Sequence, residues 1–355
     1  MNICIIVGAR PNFVKVAPLI RAIEKQSPLA YKLVYSGKAD DPTLESTLFE
    51  DLQMPRPTVF LGVDSQSLNE ITAQVMGQFD AYLEGNPTDV VIVVDDLAST
   101  MAAAITAKKR GIKLAHLVAG TRSFDITMPK EINRLVIDAL SDYLFTAGVK
   151  SNSVATREQQ SESSQTFLVG NILMDTLRFN RDRLHKPVIA GLDNLEQTAY
   201  LVLTLNRKAL LADKEGLKLM FDKIVEAGLP VVAPLREKAR SMVTELYPDC
   251  SLLHVVDALP YLEFGWLTSH AAGIITDSGN VAEEATFNGV PCITLNDYTE
   301  HQETVTKGTN VLVGGNPEEL AKYLDILKRH EWKSSGLPDR WDGRTADRIV
   351  QILLG

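Results

Sequence analysis

Four short segments carry residue types able to do chemistry. Gly8-Ala9-Arg10-Pro11-Asn12 follows an apolar run at 3–7. Gly8 permits a sharp turn, and Pro11 suits a helix start. Arg10 would then leave the carboxyl end of a parallel strand, where open α/β sheets take ligands. Its planar fork fits phosphate; a solvated arginine on a tight turn explains the residues equally well. Thr276-Asp277-Ser278-Gly279-Asn280 reads as a buried strand ending in a helix start, capped by Asp277 or Ser278. Free amides there favour an anion, a diphosphate being a natural fit. Glu283 and Glu284, one turn further on, could accept ribose hydroxyls. An ordinary capped helix with acids in its first turns gives the same pattern. Asp95-Asp96 after the run at 90–94 could do acid/base work, or cap a helix starting near Ser99. Residues 127–134 open a helix bearing Glu131, Asn133 and Arg134, which solvated surface charge accounts for as well.

Other chemistries lack their residues. There is no Gly-rich P-loop, no Gly-x-Ser-x-Gly elbow and no Gly-x-Gly-x-x-Gly fingerprint. The six histidines show no metal-ligand spacing, and His116 and His254 sit in apolar runs as core histidines would. Cys4, Cys250 and Cys292 have neither zinc spacing nor disulfide-scaffold density, so buried thiols in a reducing cytoplasm are expected. Tyr261, Phe264 and Trp266 cluster after Pro260, as core or as a wall for a flat base.

The elements that must position these residues are short apolar runs alternating with helical periods. Strands are expected at 3–7, 31–35, 90–94, 114–118 and 142–145. A second series falls at 166–169, 199–205, 230–234, 252–256, 273–275, 292–295 and 311–313. Most lack strict alternation, as strands buried on both faces do. Helical periods include 12–25, 100–109, 214–227 and 282–287, with a kink or restart at Pro18. The pattern predicts two parallel α/β units. Their junction falls between Gly170 and Gln197, residues 157–165 read as a surface loop, and a final amphipathic helix carries Ala346, Ile349, Val350 and Leu353.

The length of 355 residues suits two domains. A formal charge of -9 argues against a nucleic-acid binder globally while leaving room for a local basic patch. No apolar stretch is long enough to span a membrane, and the first residues lack the features of a secretion signal.

Eight stretches together resemble one family, the non-hydrolysing UDP-N-acetylglucosamine 2-epimerases, over essentially the whole chain. They are GARPNFVKVAPLI at 8–20, AHLVAGTRS at 115–123, MPKEINR at 128–134 and GNILMDTL at 170–177. TDSGNVAEEA at 276–285, GVPCITL at 289–295, TEHQETV at 299–305 and WDGRTADRIV at 341–350 complete the series, in the family's order. The resemblance implies a glycosyltransferase-B-like fold. Two Rossmann-like domains, 1–170 and 171–340, would face each other across a cleft, and the helix at 341–355 would return to the first. It implies a cytoplasmic homodimer that takes UDP or a UDP-N-acetylhexosamine, with no nicotinamide or metal cofactor. The family interconverts UDP-N-acetylglucosamine and UDP-N-acetylmannosamine for surface polysaccharides by eliminating UDP across the sugar C1–C2 bond and adding it back. Some members take UDP-N-acetylglucosamine at a second, allosteric position.

Carried over position by position, the binding parts are largely kept. Arg10 and Lys15 match the basic first turn, Ser278 and Gly279 the diphosphate turn, Glu284 the ribose acid, and Phe264 lies in the uracil segment. Asp96 matches the aspartate after the central strand, with Asp95 in place of the usual glycine. The chemical parts depart. Val118 replaces the glutamate of HVEAG, Lys130 the first glutamate of PEExNR, Asn206 the histidine of the THR-like segment and Arg236 a further histidine. Asn280 replaces the second glycine of DSGG, and His301 the arginine of ERPE. Asp96 and Glu131 are the remaining acid/base candidates. Lys130 could bind an anion, or act as a base if burial depressed its pKa. The expectation is a UDP-sugar-binding member with its ordinary epimerase chemistry impaired or lost, with partnership with an active relative as one expected role. Two alternatives stand: an active epimerase using substitute groups, and a UDP-sugar transferase or hydrolase on the same scaffold.

Overall fold

The computed structural model describes residues 1–159, 161–192 and 194–355. Two compact units emerge: Met1–Asn180 with Asp339–Gly355, and Arg181–Pro338.

Among the described residues, the first unit holds seven parallel strands. They are β1 (Asn2–Val7), β2 (Ala30–Tyr35), β3 (Val59–Phe60), β4 (Val90–Val94), β5 (Lys113–Ala119), β6 (Tyr143–Thr146) and β7 (Gln165–Leu168). Their order is β3-β2-β1-β4-β5-β6-β7. Cys4 and Ile6 of β1 join Val91 and Val93 of β4 in a core with Val75, Phe79 and Ala103 from the helices Leu68–Gly85 and Ala98–Lys109. Ile3, Ile5 and Val7, on the other side of the pleat, are equally buried. Burial on both faces explains the missing alternation. The chain leaves β1 towards β2 and leaves β4 towards β5 on opposite sides, which makes the β1/β4 border a topological switch point.

The second unit holds β8 (Leu201–Thr204), β9 (Val231–Pro234), β10 (Leu253–Val256), β11 (Gly273–Thr276), β12 (Cys292–Thr294) and β13 (Asn310–Leu312). Their order is β10-β9-β8-β11-β12-β13, again parallel throughout. Leu201 and Leu203 face a core with Phe221, Ile224, Leu320 and Leu324. Tyr200 and Val202 face a second core with Trp266, Leu267, Ala282 and Cys292.

Several expectations change here. The strand near 166–169 pairs with β6 and so closes the first sheet. The first unit also runs ten residues past Gly170. The helix Ile172–Asn180 packs on Arg10–Glu24 and on the final helix Thr345–Leu354. Asp175 fixes that arrangement, its carboxylate accepting the Thr345 and Ala346 amides at 3.1 and 2.8 Å. Ile349, Val350 and Leu353 are buried beneath, worth roughly 1.5–3 kcal/mol each. Pro18 does not restart its helix, which is continuous over Arg10–Glu24. Cys250 is only partly buried, unlike Cys4 and Cys292. Of the polar stretch 157–165 and the junction 170–197, Gln160 and Asp193 lie outside the described residues. No helix among the described residues is long and apolar enough to cross a membrane.

Candidate functional site

The carboxyl ends of β1, β4 and β5 bring the first unit's candidates together. In the turn after β1, the Asn12 Oδ1 accepts the Gly8 and Ala9 amides at 3.0 and 3.2 Å. Its Nδ2 donates to Asp95 Oδ2 at 2.8 Å, and Lys15 Nζ donates to Asp95 Oδ1 at 2.6 Å. Asp95 has φ +58°, the left-handed region that a glycine enters freely and Asp tolerates better than most. Arg10 is half-buried and makes only a long 3.7 Å pair with Glu45. The Asp95-Asp96 pair does not cap the next helix, whose N-cap is Leu97.

Asp96 is buried, and its Oδ2 accepts Arg134 Nε and Nη2 at 2.8 and 2.5 Å. Lys130 Nζ stands 3.3 Å from Oδ1. Burial opposes ionisation of Asp96, but the Lys130 and Arg134 charges outweigh it and hold the carboxyl below its usual range. Glu131 is buried and occupied. It accepts the Ser123 amide at 2.8 Å, the Ser123 hydroxyl at 2.9 Å, the Phe124 amide at 3.1 Å and Arg134 Nη1 at 3.2 Å. Burial pushes its pKa up, and these donors more than reverse the effect. Glu131 therefore holds the loop ahead of its own helix.

Val118 stands on a bulge between Leu117 and Ala119, at φ +76°. A β-branched residue in the left-handed region is a genuine outlier. A buried network holds the bulge. Asp138 Oδ1 meets His116 Nδ1 at 2.6 Å, while Oδ2 accepts Arg122 Nη1 at 2.6 Å and the Gly120 amide at 3.0 Å. His116 Nε2 meets the Asp95 carbonyl at 3.0 Å. Both ring nitrogens thus face oxygens, one on Asp138 and one on the Asp95 main chain. Gly120 has φ +74°, and a Cβ there would strike the Ser151 carbonyl.

In the second unit, β11 runs into the helix Gly279–Asn288. Ser278 is the N-cap residue, and its side chain makes no capping hydrogen bond with the first amides. Asp277 turns away from them, its Oδ2 accepting the Asn206 and Arg207 amides at 2.7 Å each. Its Oδ1 is buried without a partner. Glu284 is 7% exposed, and its carboxyl makes no hydrogen bond or ion pair among the described residues. Burial, then the neighbouring Glu283 charge, pushes its pKa up to about 8. His301 Nε2 lies 3.7 Å from Glu283. Gly279 and Asn280 open the helix, Arg236 is exposed at the end of β9, and Phe264 packs partly buried against the Trp266 core. Gly289 ends the helix at φ +73°, as its position predicts. Asn206 is exposed at the end of β8.

Sequence reasoning picked out most of these positions and missed how they are partnered. Neither the Asp138–His116–Arg122 network nor the Asp277 link to β8 has a local motif, because the partners are remote in sequence.

A family model described as UDP-N-acetylglucosamine 2-epimerase matches residues 21–354. The UDP-N-acetylglucosamine 2-epimerase of Methanocaldococcus jannaschii is 34% identical over 367 residues, covering 99% of each chain. A Pseudomonas aeruginosa UDP-2,3-diacetamido-2,3-dideoxy-D-glucuronate 2-epimerase is 33% identical, with 88% of each chain covered. The solved M. jannaschii UDP-GlcNAc 2-epimerase, in complex with UDP-GlcNAc and UDP, superposes with a TM-score of 0.85 at 33% identity, over 100% of this chain and 99% of that one. The Neisseria meningitidis enzyme bound to UDP-GlcNAc gives 0.88 at 25% identity, over 100% of both. The two parallel α/β units are thus those of the glycosyltransferase-B-like epimerase fold. Matched from one sheet to the other, the chain belongs to the UDP-N-acetylglucosamine 2-epimerase family.

Proposed function

We propose that this chain binds a UDP-sugar through its second unit, with the family's epimerisation impaired or lost. Support for binding comes from the helix start at Gly279, which the Ser278 side chain does not cap, and from the Glu284 carboxyl, unpartnered among the described residues. Amides at a helix N-terminus suit a diphosphate. A buried carboxyl without a partner is costly until hydroxyl groups satisfy it. Ser278, Gly279, Asn280, Glu284 and His301, with Phe264 and Arg236, are the second unit's residues assigned to UDP.

Inversion at a sugar C2 needs a base to take the proton from one face and an acid to return one on the other. The observation that carries the loss is the Lys130–Asp96 pair. Asp96 is held ionised between two cations, Glu131 is fully bonded, and the neighbouring Asp95 is taken up by Lys15 and Asn12. Val118, on its strained bulge, has no proton to give. Each missing acid/base group is worth about 10² to 10⁴-fold, though cooperating groups do not add simply. A homodimer, or pairing with an active relative, is the assembly this reading favours.

Incubation with UDP-N-acetylglucosamine in deuterated water, read by NMR at the sugar C2, is the test. Saturable UDP binding without deuterium entry is expected. Deuterium entry with UDP-N-acetylmannosamine formation would overturn the loss, and failure to bind UDP would overturn the whole reading.

A further inference from the structure

Lys15 is a 6% exposed ammonium at the switch point between β1 and β4. In open α/β sheets this is where ligands bind, and a buried lysine there is a ready partner for an anionic group. In this chain the partner is already present. Asp95, first residue after β4, crosses the switch point and places Oδ1 2.6 Å from Lys15 Nζ and Oδ2 2.8 Å from Asn12 Nδ2. It does so from a left-handed backbone, φ +58°. Three main-chain contacts hold that peptide whatever its side chain. The Asp95 amide donates to the Leu117 carbonyl at 3.2 Å, His116 meets the Asp95 carbonyl at 3.0 Å, and Asn133 donates to the Asp96 carbonyl at 2.8 Å.

We propose that Asp95 is a specificity-determining residue: its carboxylate occupies, on Lys15 and Asn12, the place of an anionic ligand group, so that the first βα turn receives neutral groups and refuses phosphates. A phosphate brought to Lys15 meets a fixed carboxylate at hydrogen-bonding range. Displacing that carboxylate strands a charge in a buried site, which is costly. Arg10, exposed enough to turn, is left as the turn's contact with ligand. The inference rests on the UDP-sugar reading only for the identity of the natural ligand.

Removing the carboxylate should open the position. The Asp95→Gly variant keeps the three main-chain contacts, relieves the left-handed φ and removes the Asp95 carboxylate from Lys15. Inorganic pyrophosphate, titrated calorimetrically into the full chain, is expected to bind at least tenfold more tightly to Asp95→Gly than to the natural protein. Adding Lys15→Met should abolish the gain. Asp95→Asn, which keeps the shape and loses the charge, should gain about threefold. It decides the matter if the glycine variant does not fold. Affinity equal to or below that of the natural chain, or a gain that survives Lys15→Met, overturns the proposal. UDP titrated in parallel into the natural chain separates the two readings. UDP binding with no pyrophosphate gain rejects this inference alone; a gain without UDP binding rejects the proposed ligand and keeps the role of Asp95.

Discussion

The two strand-end regions invite comparison, because both collect buried charge and they treat it in opposite ways. In the first unit, Asp95, Asp96, Glu131 and Asp138 all have close donors. In the second, Glu284 has none among the described residues, and Asp277 keeps one bare oxygen. A satisfied buried group has its free energy settled within the fold. An unsatisfied one carries a desolvation cost that only an arriving partner removes. By that criterion the second unit keeps buried groups open to a ligand, while the first ties its carboxylates into the fold.

The largest expected effect breaks that contrast from the first unit's side. Joint Val118→Glu and Lys130→Glu substitution removes the ion pair to Asp96 and restores two carboxyls. C2 deuterium exchange should rise by about 10²-fold or more over the natural chain. An unchanged rate would mean that the scaffolding, rather than the missing acids, blocks the chemistry.

Next comes the network behind the bulge. Asp138→Ala removes the buried carboxylate that Arg122, His116 and the Gly120 amide share, and should cost about 3–5 kcal/mol in denaturant unfolding. A loss below about 1 kcal/mol would show that the network is not what holds β5 in place.

The second unit's side is sharpened by Glu284→Gln. UDP affinity should fall about tenfold in calorimetry, since one acceptor becomes a fixed donor. The pH dependence has a definite sign. The folded pKa lies near 8 against an ordinary 4.5, so the folded state holds a proton that the unfolded state has released. That contribution is whole below about 4.5 and drains away as pH rises through 8. Unfolding melts of Glu284→Gln should lose less stability over this window than the natural chain. Parallel melts for the two would show that Glu284 is solvated.

The smallest effect concerns Val118 itself. Val118→Gly relieves the left-handed backbone and should stabilise the chain by about 1 kcal/mol. Destabilisation would mean that side-chain packing outweighs the strain.

Much of this architecture was legible in the sequence. The apolar runs marked nearly every strand, and the Gly-Ala-Arg-Pro and Asp-Ser-Gly-Asn segments marked both turns. The helix Leu68–Gly85 escaped because its apolar face is thin, with Val75, Phe79 and Leu83 as its buried residues. Strand β3, two residues long, had no period to detect. The site was legible as positions and opaque as partnerships. Glu131 read as an acid/base candidate because its type was right. Its occupation depends on Ser123 and Phe124, which only the folded loop brings to it. Asp95 read as half of a capping pair, whereas its partners lie some 80 residues earlier.

The helix Thr345–Leu354, packed against Arg10–Glu24, also sets an order of events during synthesis. Residues 181–338 form a contiguous stretch that can close its core as it leaves the ribosome. The first unit emerges earlier yet cannot cover its opening helix until residues 345–354 have been made. At about 5–20 residues per second, the intervening length keeps that apolar face waiting for roughly 15–65 s. Of the two units, the one whose synthesis begins earlier is completed later, and it is the one that most needs shielding from its neighbours.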